Sequence, residues 1–312
     1  MTSEHDLHHS PDSPDRAGPD DPAARAIAEA LATAVERLRA ADDLARGGDP
    51  EGVHRLRTSS RRLRSELQSF GKLIDPEWGG RLIAELRWLG ATLGEARDID
   101  VLRERFEKGE SEEDRAALKP LFDWLDARRS KAAKAMNRTL KGRRFRELIA
   151  ELERSAAAPA TVEKADRSCR KVLPPLVAKA WKRLREDAEG LASDSPDPAF
   201  HELRKRAKRA RYTTESIAPT LGPRAEKRGR KLVGLAREIQ DLLGAHQDAV
   251  VAAEEVESLL AQAGHDDTFR RAAAALLVRL RRDADESRDR FLEKYLPKLN
   301  RRKNRGDLEA GG

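Results

Sequence analysis

The 312-residue chain contains one cysteine, Cys169, and few aromatic residues, which make up 4% of the sequence. A single cysteine excludes an intramolecular disulfide and a cysteine-rich metal site within this chain. The low aromatic content and the abundance of alanine and leucine favour a helical protein over a β-rich one. We therefore expect an all-α fold.

Membrane and secretion signals are also missing from the sequence. No apolar run approaches the length that spans a bilayer, and the N-terminus lacks the basic and apolar regions of a signal peptide. These absences predict a cytoplasmic protein with no membrane partner.

Motifs of known catalytic chemistry are absent as well. The chain has no HExxH and no glycine-rich phosphate loop followed by a basic Ser/Thr pair. Phosphoanhydride cleavage normally uses metal ions held by several carboxylates, and the basic segments described below do not supply such a set. We predict no enzymatic activity, no cofactor and no metal site.

Positive charge is concentrated in two segments. Lys and Arg number 62 against 55 Asp and Glu, a net charge of only +7, yet residues 54–64 and 201–211 are strongly basic. Each segment opens with a histidine and repeats basic residues at the same spacing, at an offset of 147 residues. The first basic stripe is His54, Arg57, Arg61 and Arg64; the second basic stripe is His201, Arg204, Lys208 and Arg211.

Each stripe occupies one face of a predicted helix. At 100° per residue, its four members fall within about 80° of one another. The opposite face of each helix is apolar and predicts packing against a core. That apolar face consists of Leu56, Leu63, Leu67 and Phe70 in the first helix and of Leu203, Ala207, Ala210 and Ile217 in the second.

The same dipeptide precedes both stripes, Asp49-Pro50 and Asp197-Pro198. Asp can cap a helix N-terminus and Pro fits the first turn, so each histidine should lie about one turn into its helix. The free amide groups and the dipole of the helix start would add to the positive potential there.

Periodicity and breaker residues predict helices along the whole chain between two tails. The predicted helices are 23–46, 50–74, 77–108, 112–152 with an interruption near Gly142, 162–190 around or after Pro174-Pro175, 198–217, 223–263 and 266–296. Residues 1–22 are acidic and should be disordered, and their His5, His8 and His9 are not assigned a metal-binding role. Residues 298–312 are predicted to be a polar tail.

A second landmark supports an internal duplication. The segment LGEARD, ending at Asp98, matches LGAHQD, ending at Asp248, at an offset of 150 residues. Two landmarks in the same order predict two homologous four-helix halves, 23–155 and 162–297, packed about a pseudo-twofold axis. His246 and His265 have no counterparts in the first half and are predicted to be surface residues.

These segments resemble the CHAD family, the conserved histidine α-helical domain. The resemblance rests on VHRLRTSSRRLRSEL, LGEARDIDVL, FHELRKRAKRARYTTE and IQDLLGAHQDAVV, in that order. It implies two four-helix bundles around a basic central channel that binds inorganic polyphosphate. Members are often joined to a CYTH-type triphosphatase domain, which we do not find here, so we expect a stand-alone binder. Glu202, where the first copy has Arg55, departs from the pattern and weakens the expectation for the second site.

The interpretation assigns a role to each singled-out side chain. Arginine forks and lysine ammonium groups suit phosphate oxygens, and a histidine that gains a proton beside phosphate donates two hydrogen bonds. Binding should therefore strengthen as pH falls through the histidine range. Phosphate-holding residues are Arg57, Arg61, Arg64, Arg204, Lys208 and Arg211, with His54 and His201 as hydrogen-bond donors, Arg62 and Arg209 at the stripe edges, and Asp98 and Asp248 as acids that orient the basic residues.

Two other functions use the same charges. The arginine clusters would contact the phosphates of nucleic acid, although the near-balanced total charge and few aromatic residues make a nucleic-acid partner the weaker prediction. A scaffold for an acidic protein partner is the third interpretation. Expected partners are polyphosphate and proteins that metabolise it, with a location on polyphosphate granules.

Overall fold

The structure, a computed structural model, describes residues 16–46, 50–262, 264, 266–301, 304 and 306–308. These residues form helices and no β-strand, which confirms the all-α prediction. The α-helices are α1 Ala23–Arg46, α2 Pro50–Ser69, α3 Pro76–Glu107, α4 Glu112–Ala117, α5 Lys119–Lys141, α6 Arg143–Ala157, α7 Cys169–Val172, α8 Pro174–Glu189, α9 Asp197–Ile217, α10 Pro223–Leu260, α11 Asp267–Arg290 and α12 Leu296–Leu299.

Most predicted helices lie where the sequence placed them, and the differences have local causes. The second helix ends at Ser69 rather than residue 74, because the chain then turns, with Leu73 N donating to Phe70 O at 2.7 Å. Asp75 caps the following helix, α3, by accepting a hydrogen bond from Trp78 N at 2.7 Å. The fourth predicted helix is three helices, with breaks at Leu118 and at Gly142. A π-helical turn, Phe291–Tyr295, joins α11 to α12.

The two halves contact each other through α2 with α9 and through α3 with α10. Within each half the order of contacts is alike: α1 packs on α2 and α2 on α3, while α8 packs on α9 and α9 on α10. The link between the halves is held against the α2–α3 turn, where Asp75 N donates to Ala160 O at 2.9 Å. The pseudo-twofold relation between the halves stays a prediction.

The apolar core consists of two clusters, and each draws on both halves. The larger contains the apolar faces of α2 and α9 together with α1, α8 and the first parts of α3 and α10. The smaller contains the second parts of α3 and α10 with α5 and α11. On α3, buried residues up to Leu93 belong to the larger cluster and those from Ile99 onward to the smaller one. On α10, the corresponding residues are Leu243 and Ala252. The two landmark acids, Asp98 and Asp248, therefore lie where the apolar core is interrupted.

The inner ends of both predicted tails pack on the helices. Ala17 is buried, and its amide donates to the Glu29 carboxylate at 2.9 Å. Cys169 N donates to Asp21 O at 2.9 Å, so residues 16–22 pack on the start of the second half. At the other end, Leu308 is buried in the larger cluster. Residues 1–15, with the three histidines of the predicted tail, lie outside the described residues.

Candidate functional site

The two basic stripes meet at Lys208. This side chain lies on α9 where that helix contacts α2, and burial lowers the pKa of its ammonium to about 6. The nearby charges of Arg61, Arg64, Arg204 and Arg57 lower it further, in that order of effect. Charges from both halves thus act on one amine, and near neutral pH that amine is mostly uncharged.

The first stripe contributes three arginines to this group. Burial lowers the pKa of both Arg57 and Arg64, and Arg61 adds to the effect at each. Arg57 Nη2 donates a hydrogen bond to Asp98 Oδ1 at 2.6 Å. Because an arginine stays protonated even when its pKa falls somewhat, these three side chains keep their positive charges together at α2.

A glycine lies beside one arginine of each stripe, and the approach is tight at Gly244. A Cβ on Gly94 would lie 3.7 Å from Arg57 Nε, and a Cβ on Gly244 would lie 3.3 Å from Arg204 Nε. Both Nε atoms are buried without a hydrogen-bond partner among the described residues. Each arginine is therefore held against α3 or α10 with donor capacity to spare.

The landmark acids lie beside these arginines. Asp98 accepts the hydrogen bond from Arg57 described above. Burial raises the pKa of Asp248, while the charges of Arg204 and Arg105 oppose that rise. Asp98 also acts on Asp248, so the two acids are near one another. Their placement is consistent with orienting Arg57 and Arg204, which stays a prediction.

The two histidines differ in their surroundings. Each is the fifth residue of its helix, as expected from the preceding Asp-Pro, although Asp49 itself lies outside the described residues. His54 is exposed, whereas His201 is half-buried and its Nδ1 has no hydrogen-bond partner in the described structure. The roles proposed for both in binding stay predictions.

Not every predicted site residue belongs to the group around Lys208. Arg211 is mostly buried and donates from Nε to Glu215 Oε1 at 2.9 Å, so part of its charge is already neutralised. Arg62 donates from Nε to Glu66 Oε1 at 3.2 Å on the flank of α2 that faces Arg37. Arg62 does not join the stripes.

Arg209 also lies apart from the stripes. Its Nη2 donates to Gln68 Oε1 at 2.6 Å, and the charges that act on it are those of Arg206 and Arg183. Burial, the largest effect, lowers its pKa. On the helix, Arg209 is turned about 100° from Lys208.

Glu202, which departs from the first copy, is exposed and forms an ion pair with Lys205 that lowers the pKa of the Glu202 carboxyl. The charges of His201 and Arg206 also act on Glu202. In the first copy, Arg55 forms an ion pair with Glu51 at 3.2 Å. The expected weakening of the second site by Glu202 stays a prediction.

The surface assignment of His246 is wrong. The side chain is fully buried, its Nδ1 lies 3.1 Å from Ala284 O, and its Nε2 lies 3.2 Å from Asp197 Oδ1. Its ring packs edge-on against Phe200. His246 therefore ties α10 to α9 and α11. The same contact explains why Asp197 does not cap α9: it lies inside the first turn, after Pro196. His265 lies outside the described residues.

Sequence reasoning missed several charged neighbours of the stripes. The charge of Arg97 contributes to lowering the pKa of Arg57, and that of Arg87 contributes to lowering the pKa of Arg64. The charge of Arg105 opposes the rise in the pKa of Asp248. Arg105 also donates from Nη2 to Ala245 O at 3.2 Å, which joins α3 to α10. The repeated LG…D landmark carried part of this signal, since its two glycines lie beside the stripe arginines Arg57 and Arg204.

Three general properties of the described residues complete the site. No group of three or more His, Cys, Asp or Glu side chains among them is arranged to hold a metal ion. No helix in this part of the chain is long and apolar enough to cross a membrane. A cavity of about 670 Å³ runs along α10, and none of the predicted site residues line it.

Comparisons with known proteins agree with this architecture. The structure is similar to PptA from Streptomyces chartreusis, with a TM-score of 0.71 and 21% identity over 87% of this chain and 98% of that one. It is also similar to the CHAD domain from the plant Ricinus communis, with a TM-score of 0.65 and 23% identity over 97% of this chain and 99% of that one. Both likenesses show the fold.

Sequence comparison gives the family. Two uncharacterized proteins of Mycobacterium tuberculosis, MT2285 of strain CDC 1551 / Oshkosh and Rv2226 of strain H37Rv, are each 32% identical over 306 residues. The match covers 91% of this chain and 54% of each relative, so the chain spans about half the length of these relatives. The family model for the CHAD domain matches residues 29–257, and the chain belongs to the CHAD domain family.

Proposed function

We propose that this protein binds inorganic polyphosphate, without catalysis, through the residues gathered around Lys208. The observation that carries the proposal is the convergence of cationic side chains from both halves on one buried amine. Membership of the CHAD domain family supports it, because polyphosphate binding is what the resemblance implied.

The chemistry of the group suits a linear phosphate polyanion. Arg57 and Arg204 have buried Nε donors without partners, which can be used by phosphate oxygens. Arg61 and Arg64 add charge along the same face, and Lys208 adds charge when it takes up a proton. Successive stripe members are separated by about one helical turn. A chain of repeated charges can therefore contact several of them in sequence and release their counterions.

The acids at the site are better suited to orientation than to reaction. Asp98 pairs with Arg57, and the largest effect on Asp248 is burial, which disfavours its charged form. A site that cleaved phosphoanhydrides with metal help would need several ionised carboxylates pointing at one ion. This supports a binding role.

The test is a titration with long-chain polyphosphate, repeated with excess duplex DNA as competitor. Arg57→Glu combined with Arg204→Glu should abolish binding, because it places acids at the centre of the group. The matched control is Arg143→Glu with Arg230→Glu, which makes the same charge change at exposed helix positions paired to Glu147 and Glu226.

The outcomes separate the proposal from its rivals. Tight binding that DNA does not displace, that the central double variant loses and that the control keeps would support it. Binding that DNA displaces would favour a nucleic-acid partner. Binding reduced equally by both double variants would indicate a general response to net charge, and the acidic-protein interpretation would then be tested instead.

We extend the proposal to the cell. A polyphosphate binder is expected on polyphosphate granules in the cytoplasm, beside proteins that metabolise the polymer. A fluorescent fusion should co-localise with granules, and the Arg57→Glu, Arg204→Glu protein should be diffuse. Equal granule labelling by both proteins would contradict this extension.

A further inference from the structure

A second basic cavity lies away from the stripes, between α8, α9 and the end of α2. Its volume is about 140 Å³. None of its lining residues is acidic. Five of them are cationic: Lys72, Lys179, Arg183, Arg206 and Arg209. Polar groups complete the lining, where the hydroxyls of Ser69 and Thr213 lie 2.7 Å apart and Gln68 accepts from Arg209.

The charges of this cavity are poorly neutralised within the described part of the chain. Arg206 forms an ion pair with Asp187 at 2.6 Å, from outside the cavity. Lys72, Lys179 and Arg183 form no ion pair there. The ammonium of Lys72 lies against that of Lys179 and lowers the pKa of Lys179, with Arg183 adding to the effect. Like charges thus face one another without an acid between them.

The internal duplication shows why the acids are missing. At the offset of 147 residues, Arg62 corresponds to Arg209, Glu66 to Thr213 and Gln68 to Glu215. In the first copy, Arg62 pairs with Glu66, and Glu215 acts on the neighbouring Arg37. On the opposite flank, the positions equivalent to Glu66 and Glu215 are Thr213 on α9 and Gln68 on α2, which are neutral. The flank around Arg62 is therefore balanced by acids, and the flank around Arg209 is left positive.

We propose that this cavity binds a single phosphate group, either free inorganic phosphate or the terminal phosphate of a polyphosphate chain. Arginine and lysine groups without acidic partners, such as Lys72, Lys179 and Arg183 here, are the groups that bind phosphate oxygens. A water molecule occupies about 30 Å³ in the liquid, so the cavity holds about four or five water volumes. That space suits one tetrahedral oxyanion.

The site is independent of the stripes. The charges that act on Arg209 come from Arg206 and Arg183, whereas those that act on Lys208 come from both stripes. The two groups lie on different flanks of α9. Failure of one proposal is thus distinguishable from failure of the other, because their variants share no residue.

The experiment measures binding of inorganic phosphate and of triphosphate by calorimetry, in chloride buffer of constant ionic strength. Lys179→Gln combined with Arg183→Gln should weaken binding of at least one ligand about tenfold, since two exposed cations are removed. The matched control is Lys182→Gln with Arg230→Gln, which removes one lysine and one arginine from exposed ion pairs.

A second variant separates binding from folding. Gln68→Glu keeps the side-chain shape but places an acid beside Arg209, as Glu66 lies beside Arg62. It should weaken phosphate binding and at the same time raise the thermal unfolding midpoint, because the hydrogen bond to Arg209 becomes charge-assisted. Loss of binding with higher stability cannot be attributed to misfolding.

The ligands distinguish the two sources. Weaker binding of inorganic phosphate by both variants supports a site for the free anion, and weaker binding of triphosphate alone supports a site for a chain end. If both variants bind both ligands as the control does, the proposal is overturned.

Discussion

Lys208 is expected to take up a proton when polyphosphate binds, and the effect can be calculated from its surroundings. Its pKa in the free protein is about 6, because the ammonium is buried among arginines. At about pH 8, only about 1% of Lys208 is then protonated. A bound polyanion offsets the surrounding positive charges and favours the ammonium form, so binding and protonation assist each other.

The sign and size of the pH dependence follow from linkage. Below pH 6 Lys208 is charged with or without ligand, and the affinity gains nothing from further acidification at this residue. Above pH 6 each binding event must bring a proton, so affinity falls about tenfold per pH unit. The pKa of Lys208 is lowered from its ordinary value of 10.5 to about 6, which corresponds to roughly 6 kcal/mol. This is the upper limit of the coupling free energy between polyphosphate binding and protonation of Lys208.

Calorimetry can count the proton directly. Titrations at about pH 8 in two buffers with different ionisation enthalpies should report uptake of nearly one proton per binding site. Lys208→Arg should abolish that uptake and bind more tightly at this pH, since arginine is already charged. His54→Gln with His201→Gln should keep the uptake, because the proton is taken up by Lys208.

Two results would refute the reasoning. Wild-type protein that takes up no proton at about pH 8 would show that Lys208 is already charged in the free site. Unchanged uptake in Lys208→Arg would place the proton on another group. Comparison of the two proteins with the same ligand cancels any titration of the polyphosphate itself.

Three further predictions concern stability, fit and charge. Burial raises the pKa of Glu66 to about 7, so the stability this acid contributes below pH 4.5 is lost as pH rises through 7. The free energy of unfolding of the wild type should therefore be lower at pH 8 than at pH 4.5 by about 3 kcal/mol on account of Glu66, and Glu66→Gln should remove this difference. Denaturant unfolding at both pH values measures it, and equal pH dependence in wild type and variant would contradict the prediction. Gly244→Ala should displace Arg204 and weaken polyphosphate binding severalfold, whereas Gly234→Ala, with open space around its Cβ, should leave binding intact and add up to about 1 kcal/mol of stability. Arg61→Gln should reduce the slope of log affinity against log salt by about one, and an unchanged slope would exclude Arg61 from the contact.

The helices were predictable because their signals are local. Apolar periodicity placed the core faces of both stripe helices, and Leu56 and Leu203 are fully buried as expected. Proline and glycine marked most ends. The second helix was predicted to run up to Asp75-Pro76, but it ends at Ser69, in a turn where Leu73 N donates to Phe70 O.

The site was predictable only as far as spacing along one helix could define it. Spacing grouped Arg57, Arg61 and Arg64, but the partners that separate Arg62 and Arg209 from them come from elsewhere. Arg209 is bonded to Gln68 across the contact between halves, 141 residues away. His246 was misjudged for the same reason, since only tertiary packing distinguishes a buried histidine from an exposed one on a long helix.

The two basic helices, α2 and α9, differ in where they carry acids, and this gives the protein two different electrostatic surfaces. Around Lys208, cations from both helices face one another, with Asp98 bonded to Arg57. On one outer flank Glu66 pairs with Arg62, whereas on the other the neutral residues Thr213 and Gln68 lie beside Arg209. Because Gln68 and Thr213 form hydrogen bonds without adding charge, the cavity beside Arg209 keeps its positive charge. An anion bound there would balance that charge.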